Sequence, residues 1–156
     1  MNDDDFLREA IRLARDGMNT GKGGPFGAVI VKDGQIVGRG SNMVTSTNDP
    51  TAHAEVVAIR DACRNLNTFQ LEGCTLYASC EPCPMCLGAI YWARPARIVY
   101  GAFHSDAADS GFDDQFIYKE IDKPREQRSI PMTQALRTEA NTVFAEWKSK
   151  HAKTHC

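Results

Sequence analysis

The sequence predicts an α/β domain of three layers, α/β/α, in which helices cover both faces of a sheet. Short apolar runs typical of strands alternate along the chain with longer segments whose apolar residues recur at helical spacing. The chain has 156 residues, enough for one domain with a sizeable core, and it contains no internal repeat or interdomain linker. We therefore expect residues 1–156 to form a single domain.

The first forty residues predict a helix followed by a β-hairpin. Residues 3–18 are amphipathic, and their apolar face consists of Phe6, Leu7, Ala10, Ile11 and Ala14. The glycine-rich segment Thr20–Pro25 ends this helix. Gly27–Val31 is an apolar run of strand type, and the tight turn Asp33-Gly34 leads into a second strand at Ile36-Val37.

The elements that follow continue the alternation of helices and strands. The polar stretch Ser41–Pro50 predicts a loop, at whose end Asp49 caps a second helix and Pro50 occupies its first position. The later elements are expected at Thr75–Ser79 (strand), Pro84–Trp92 (helix), Arg97–Tyr100 (strand), Phe112–Glu120 (short helix) and Glu139–Lys150 (helix).

Composition and charge narrow the class of protein. The formal net charge is −2, from 18 basic and 20 acidic residues, and no Lys/Arg cluster stands out, so we expect no nucleic-acid partner. The N-terminus is acidic and no apolar run could span a bilayer, so we expect a cytoplasmic protein without a membrane partner. In that compartment the six cysteines are expected to be free or metal-bound.

Two short motifs carry metal-binding chemistry. His53-Ala54-Glu55 lies at the start of the second helix, and Pro82-Cys83-Pro84-Met85-Cys86 lies at the start of the helix that begins near Pro84. Thiolates at a helix N-terminus are stabilised by free N–H groups and the helix dipole. His53, Cys83 and Cys86 form a zinc ligand set of three, which in catalytic sites leaves a fourth position for water.

Glu55 is predicted to move protons and not to bind the metal. It lies two residues from His53, about 200° around a helix, so it should not ligate alongside that histidine. It can instead stand next to the metal-activated water, whose pKa falls to roughly 7 in favourable sites.

Three other interpretations of the cysteines remain open at this point. Cys83-x-x-Cys86 also occurs in structural zinc sites and in redox pairs, although a fourth zinc ligand is not evident and redox chemistry would leave His53-x-Glu55 unexplained. Cys80, Cys83 and Cys86 have the spacing at which an iron–sulfur motif begins, but no further cysteine follows at the required position. Cys63, Cys74 and Cys80 are expected to be core thiols.

His53-x-Glu55 together with Pro82-Cys83-x-x-Cys86 matches the signature of zinc nucleobase deaminases. The sequence therefore resembles the cytidine deaminase superfamily, which implies a mixed five-stranded sheet between helices and one zinc ion per subunit. Within that superfamily it resembles the bacterial guanine deaminases over nearly its whole length. The most discriminating segment comprises Gly111–Asp114 and Phe116–Pro124.

The resemblance to guanine deaminases implies an activity and a set of roles. The implied reaction is hydrolysis of guanine to xanthine and ammonia. Because the attacked unit is an amidine-like N=C–NH₂ group, we also expect weak activity on other small amino-azaheterocycles. The substrate-binding residues are Phe26, Asn42, Ala54, Trp92 and Asp114. Phe26 and Trp92 would form apolar or stacking walls, Asn42 would hydrogen-bond the purine edge, and Asp114 would reach the substrate from its loop.

The resemblance also implies a homodimer whose C-terminal segments are exchanged, each closing the partner's site. An aromatic residue at the family's tail can help close the pocket, whereas this chain ends in His155-Cys156.

The competing enzyme hypotheses are a deaminase of tRNA adenosine and one of cytosine compounds. A non-catalytic module stabilised by zinc is the alternative outside enzymes.

Overall fold

A four-stranded mixed sheet forms the centre of the N-terminal part of the protein. The computed structural model describes all residues, 1–156, which divide into two compact units, Met1–Asp114 and Gln115–Cys156. The strands of the first unit are β1 (Gly27–Lys32), β2 (Gln35–Ser41), β3 (Thr75–Cys80) and β4 (Arg97–Ala102), in the order β2-β1-β3-β4. β1 is antiparallel to β2 and β3, and β3 is parallel to β4.

The expectation of five strands is wrong for this chain, because no strand follows β4. The chain turns after Ala102 into a short helix, His104–Asp109, where the Asp106 carboxylate accepts a hydrogen bond from the Phe103 N–H. Its residues include two alanines and two aspartates, which have low strand propensity. Residues 129–136 contain Pro131, which cannot donate to a sheet ladder, and they also form no strand.

The protein has seven α-helices, and the sequence predicted the bounds of the first, fourth, sixth and seventh closely. In chain order they are α1 (Asp3–Asn19), α2 (Val44–Thr47), α3 (Ala54–Leu66), α4 (Pro84–Ala93), α5 (His104–Asp109), α6 (Gln115–Asp122) and α7 (Arg137–Ser149). The sequence patterns did not predict α2 or α5, which are four and six residues long and too short to show a helical period.

Helix α1 covers one face of the sheet. The Phe6 ring packs on Tyr77 with the ring centroids 5.3 Å apart, and both belong to a buried cluster with Val29 and Val31. The Tyr77 hydroxyl donates to the Asp3 carboxylate at 2.6 Å, and Arg97 on β4 pairs with the same carboxylate. The N-terminus of α1 is therefore held to the sheet by both apolar and polar contacts, as the predicted layering requires.

Helices α3 and α4 cover the other face, so the three-layer arrangement is confirmed. Ala54, Ala58 and Ala62 of α3 pack with Ile30 and other sheet residues in the larger buried cluster, to which α4 contributes Ile90. A Cβ atom at Gly40 would overlap the Ala54 carbonyl oxygen and lie 2.6 Å from the Ala58 nitrogen. The backbone of α3 therefore lies directly against β2.

Helix α3 begins four residues later than Asp49 and Pro50 predicted. Its N-cap is His53, and the Asp49 carboxylate instead accepts hydrogen bonds from the Thr51 N–H at 2.9 Å and the Thr51 hydroxyl at 2.6 Å. Aspartate side chains form such local turns in competition with helix capping. The consequence for the site is that His53, and not Asp49, marks the start of the helix.

The second unit, Gln115–Cys156, contains α6, a 3₁₀ turn at Arg125–Gln127 and α7. Within it, Glu120 accepts hydrogen bonds from the Ser129 N–H and hydroxyl, which together with Lys123 lower the pKa of its carboxyl group to about 2. The apolar residues of α7 are largely exposed within the chain. None of the helices in the structure combines the length and hydropathy that a membrane span requires.

The close contact between α3 and β2 predicts the effect of adding one methyl group. Gly40→Ala should lower the free energy of unfolding by about 1–3 kcal/mol, because the new Cβ must displace the helix backbone. Gly88→Ala is the matched control, since a Cβ there meets nothing within 4 Å and helix propensity should raise stability by up to about 1 kcal/mol. Urea denaturation at one protein concentration measures both values. Wild-type stability of Gly40→Ala would contradict the argument.

Candidate metal centre

Two helix N-termini present the predicted metal ligands. Cys83 is the N-cap of α4, with Pro84 at the first helical position, and its sulfur accepts a hydrogen bond from the Cys86 N–H at 3.4 Å. His53 is the N-cap of α3 and not a first-turn residue, and its side chain makes no capping hydrogen bond. Its imidazole is therefore available to face the two sulfurs.

The structure brings His53, Cys83 and Cys86 together. The Nδ1 atom of His53 lies 3.5 Å from the Cys83 sulfur and 3.5 Å from the Cys86 sulfur, and all three donor atoms lie within 4.8 Å of one another. A tetrahedral zinc ion with bonds of about 2.3 Å to sulfur and about 2.0 Å to nitrogen separates such atoms by about 3.5 Å. The donor set therefore fits zinc in both chemistry and spacing, with Nδ1 as the histidine ligand.

The electrostatics of the two thiols also favour a cation. The pKa of Cys83 is lowered to about 4, first by the hydrogen bond with Cys86 and then by His53 and the Cys86 N–H, against the effect of burial. The pKa of Cys86 is raised, chiefly by Cys83 and by burial. The two pKa shifts are opposite, as expected for two acidic groups that interact closely, and a bound dication would allow both sulfurs to be thiolates.

Glu55 is a buried carboxyl group beside these sulfurs. Only 7% of its surface is exposed, and it is not one of the residues whose atoms converge as metal ligands. Burial raises the pKa of its carboxyl group, while the hydrogen bond with the Cys86 thiol lowers it. A carboxyl group that is kept from water in this way holds a proton more readily than an exposed one.

Asn42 follows the last residue of β2 and lies close to the segment that leads into His53. The Met43 N–H donates to the Ala52 carbonyl at 2.9 Å, which places the residues before α2 and α3 side by side. The Asn42 side-chain oxygen accepts hydrogen bonds from the Gly24 N–H at 3.3 Å and the Val44 N–H at 3.1 Å.

Phe26 and Asp114 both lie in the first unit, and Asp114 is close enough to Cys83 and His53 for their charges to interact. The Phe26 ring meets Phe112 edge-on, with centroids 5.1 Å apart. The Oδ1 atom of Asp114 is buried and has no hydrogen-bond partner, and burial together with the nearby Cys83 raises the pKa of its carboxyl group. A buried acceptor without a protein donor is uncommon, and such a group is commonly matched by a water molecule, an ion or a ligand.

The remaining two predicted substrate contacts occupy contrasting environments. Ala54 is fully buried at the first position of α3, where a helix leaves its N–H groups without partners of its own. Trp92 lies near the end of α4 and is 65% exposed within one chain. Its assignment to a pocket wall therefore stays a prediction that needs another surface to cover the ring.

Two residues of the site were not singled out from the sequence. Phe112 contacts the Phe26 ring and lies in the same short segment as Asp114. Its closeness in sequence to a predicted site residue is the signal that could have identified it. Glu81 accepts a hydrogen bond from the His104 N–H at 3.1 Å, and this contact joins the loop before Cys83 to the start of α5. Cys80 ends β3 and does not join the ligand cluster, and burial raises its pKa to about 11.

Comparison with known proteins places these features in a family. Residues 1–102 match the model of the cytidine and deoxycytidylate deaminase zinc-binding region. The chain is 62% identical to guanine deaminase of Bacillus subtilis over 149 residues, 96% of each protein. It is 46% identical to the tRNA-specific adenosine deaminase of Aquifex aeolicus over 97 residues, 62% of this chain and 64% of that one.

A solved structure shows the same likeness in three dimensions. The crystal structure of guanine deaminase from Bacillus subtilis superposes with a TM-score of 0.97 at 60% identity, covering 99% of each chain. The family description and the His-Cys-Cys donor set agree that the metal is zinc. The chain therefore belongs to the family of zinc-dependent deaminases defined by the cytidine and deoxycytidylate deaminase zinc-binding region.

Proposed function

We propose that this protein is a guanine deaminase, which converts guanine and water into xanthine and ammonia. The observation that carries the proposal is the buried carboxyl group of Glu55 beside the convergent donor atoms of His53, Cys83 and Cys86. The choice of guanine is supported by the Bacillus subtilis relative, which matches almost the entire chain. The tRNA-specific relatives match a smaller share of it.

His53, Cys83 and Cys86 would hold the zinc ion. When bound, zinc supplies the positive charge that makes water acidic at neutral pH and a good nucleophile. Glu55 then acts as the proton carrier of the site. Its carboxylate accepts a proton from the water that attacks C2 of guanine and delivers that proton to the adjacent ring nitrogen. Glu55 then accepts the remaining proton of the hydroxyl group added at C2 and passes it to the exocyclic amine, which leaves as ammonia as the C2 carbonyl of xanthine forms.

The burial of Glu55 suits both directions of this transfer. A carboxyl group whose pKa is raised toward the working pH gives up and accepts protons at comparable free-energy cost. Glu55 is also fixed on the first turn of α3, the helix that presents His53, so carboxylate and imidazole are held by one rigid element. Positioning of this kind lowers the entropic barrier to the reaction.

The polar groups around the cluster match a flat base with donors and acceptors on its edges. Asp114 would accept a hydrogen bond from an N–H of guanine, which satisfies its partnerless oxygen. Asn42 and the Ala54 N–H would donate to acceptors of the base. Phe26 and Trp92 would bound its apolar faces. Because each buried polar group is left unpaired by a wrong base, such a site discriminates strongly.

The working enzyme is proposed to be a cytoplasmic homodimer in which each chain is one functional domain and residues 115–156 are exchanged between subunits. The apolar side chains of α7 support exchange, because Val143, Phe144 and Trp147 are 63%, 66% and 37% exposed within one chain. At the tail, His155 packs edge-on against Trp147 with centroids 5.9 Å apart, so the end of the chain is held by α7.

The proposed dimer predicts the mass of the protein in solution. Sedimentation equilibrium should give twice the 17.2 kDa chain mass, and a monomer would contradict the exchange.

Separating zinc content from turnover tests the roles of the ligands and of the proton carrier. Glu55→Gln should keep the full zinc content and lose activity about 10²–10⁴-fold, because the amide cannot carry the proton. Cys83→Ala should lose both zinc and activity, because one thiolate ligand is gone. Metal analysis and ammonia release measure the two quantities. Near-normal turnover of Glu55→Gln, or full zinc content in Cys83→Ala, would contradict the assignment.

A substrate panel tests the choice of base. The zinc-loaded protein should release ammonia rapidly from guanine, weakly from aminotriazines that share its N=C–NH₂ unit, and not from cytidine or adenosine-bearing tRNA. Ultraviolet spectra identify xanthine as the product. Preferential deamination of the tRNA or of cytidine would replace guanine by that substrate, and absence of ammonia from the whole panel would favour a non-catalytic zinc module.

A further inference from the structure

Backbone N–H groups donate hydrogen bonds to the side-chain oxygen of Asn42. Its Oδ1 atom accepts from the Gly24 and Val44 N–H groups, at 3.3 and 3.1 Å. An asparagine amide carries one acceptor oxygen and an NH₂ group with two donors. Because the oxygen faces the backbone, the part of the amide that remains for a ligand is the donor group, Nδ2.

The position of this amide is set by close contact with Gly23. A Cβ atom built at residue 23 would overlap the Asn42 backbone oxygen and lie 2.5 Å from the side-chain Oδ1 of the same residue. The backbone of Gly23 does not have the positive φ that favours glycine. The close contact with Asn42, and not the backbone conformation, therefore excludes a side chain at residue 23.

The same contacts connect Asn42 to the two sides of the candidate site. Its N–H donates to the Phe26 carbonyl at 3.1 Å, and the next residue, Met43, donates to Ala52 immediately before His53. Asn42 thus lies between the Phe26 ring wall and the segment that carries a zinc ligand. A shift of its amide would alter how a base is held relative to that ligand.

We propose that Gly23 is a positioning residue that orients the Asn42 amide, so that the site selects bases with a hydrogen-bond acceptor facing Nδ2. The proposal rests on the proposed function, since it concerns how the substrate of that reaction is held. Gly23 acts through close packing and makes no contact with the base. Asn42 supplies the donor, and the Gly24 and Val44 N–H groups prevent the amide from turning over.

The test compares Gly23→Ala with Asn42→Asp, using steady-state kinetics on guanine. Gly23→Ala should lower kcat/KM about 10–100-fold, mainly through a higher KM, because the displaced amide no longer meets its acceptor. Asn42→Asp keeps an acceptor oxygen for the Gly24 and Val44 N–H groups but loses the donor, and it should lower kcat/KM at least as much. Gly88→Ala, the same added methyl group in open space, should stay within about threefold of wild type.

The double variant Gly23→Ala/Asn42→Asp distinguishes positioning from general damage. If Gly23 acts through the Asn42 amide, the double variant should be no slower than Asn42→Asp alone, because neighbouring effects that share one interaction do not add. Zinc content and the urea midpoint report independent damage to the metal site or the fold. Additive losses, or a Gly23→Ala enzyme with the wild-type KM, would overturn the proposal.

Two further outcomes are decisive in their own right. If Gly23→Ala does not fold, Asn42→Asp decides, and a wild-type KM in that variant would show that no donor from Asn42 is used. If the wild-type protein forms no xanthine, the proposed function has failed and not the positioning role. The same variants are then compared on whichever base of the panel the wild-type protein deaminates.

Discussion

The close approach of α3 to β2 is the constraint on which the zinc site depends. Gly38 and Gly40 of the strand have no side chains, and the helix faces them with Ala58 and its neighbours, so helix backbone meets strand backbone directly. Backbone contacts of this kind leave little freedom for the helix to shift. The start of α3, and with it the His53 imidazole, is thereby held within 3.5 Å of two sulfurs that belong to another helix.

The second constraint is electrostatic. Cys83, Cys86, Glu55 and Asp114 bring several acidic groups into partly or fully buried positions, an arrangement that is unfavourable without a compensating cation. A zinc ion balances the two thiolates. Burial raises the pKa of both carboxyl groups, whereas the charge of a bound cation acts in the opposite direction, so the two effects together set how readily Glu55 exchanges a proton. The chemistry proposed for Glu55 therefore depends on the same burial that makes the metal necessary.

The sequence patterns correctly predicted elements whose apolar residues recur regularly along the chain. Amphipathic or apolar segments predicted α1, α4, α6, α7 and the four strands within a few residues. The patterns failed where short-range competition decides, as at Asp49, whose carboxylate closes a turn with Thr51 and does not cap α3. The fifth strand was implied by the resemblance and not by the residues, and within one chain nothing after β4 supplies it.

By itself, the sequence determined the chemistry of this protein. The identity and spacing of His53, Glu55, Cys83 and Cys86 specify two thiolates, one imidazole and one carboxylate at helix starts, because these properties are local. Only the tertiary structure decided that the four groups meet, that Nδ1 is the histidine atom facing the sulfurs, and that the Asn42 side-chain oxygen accepts hydrogen bonds from the Gly24 and Val44 N–H groups. Those facts depend on packing between segments tens of residues apart, such as Gly23 against Asn42, and a one-dimensional pattern does not encode such distances.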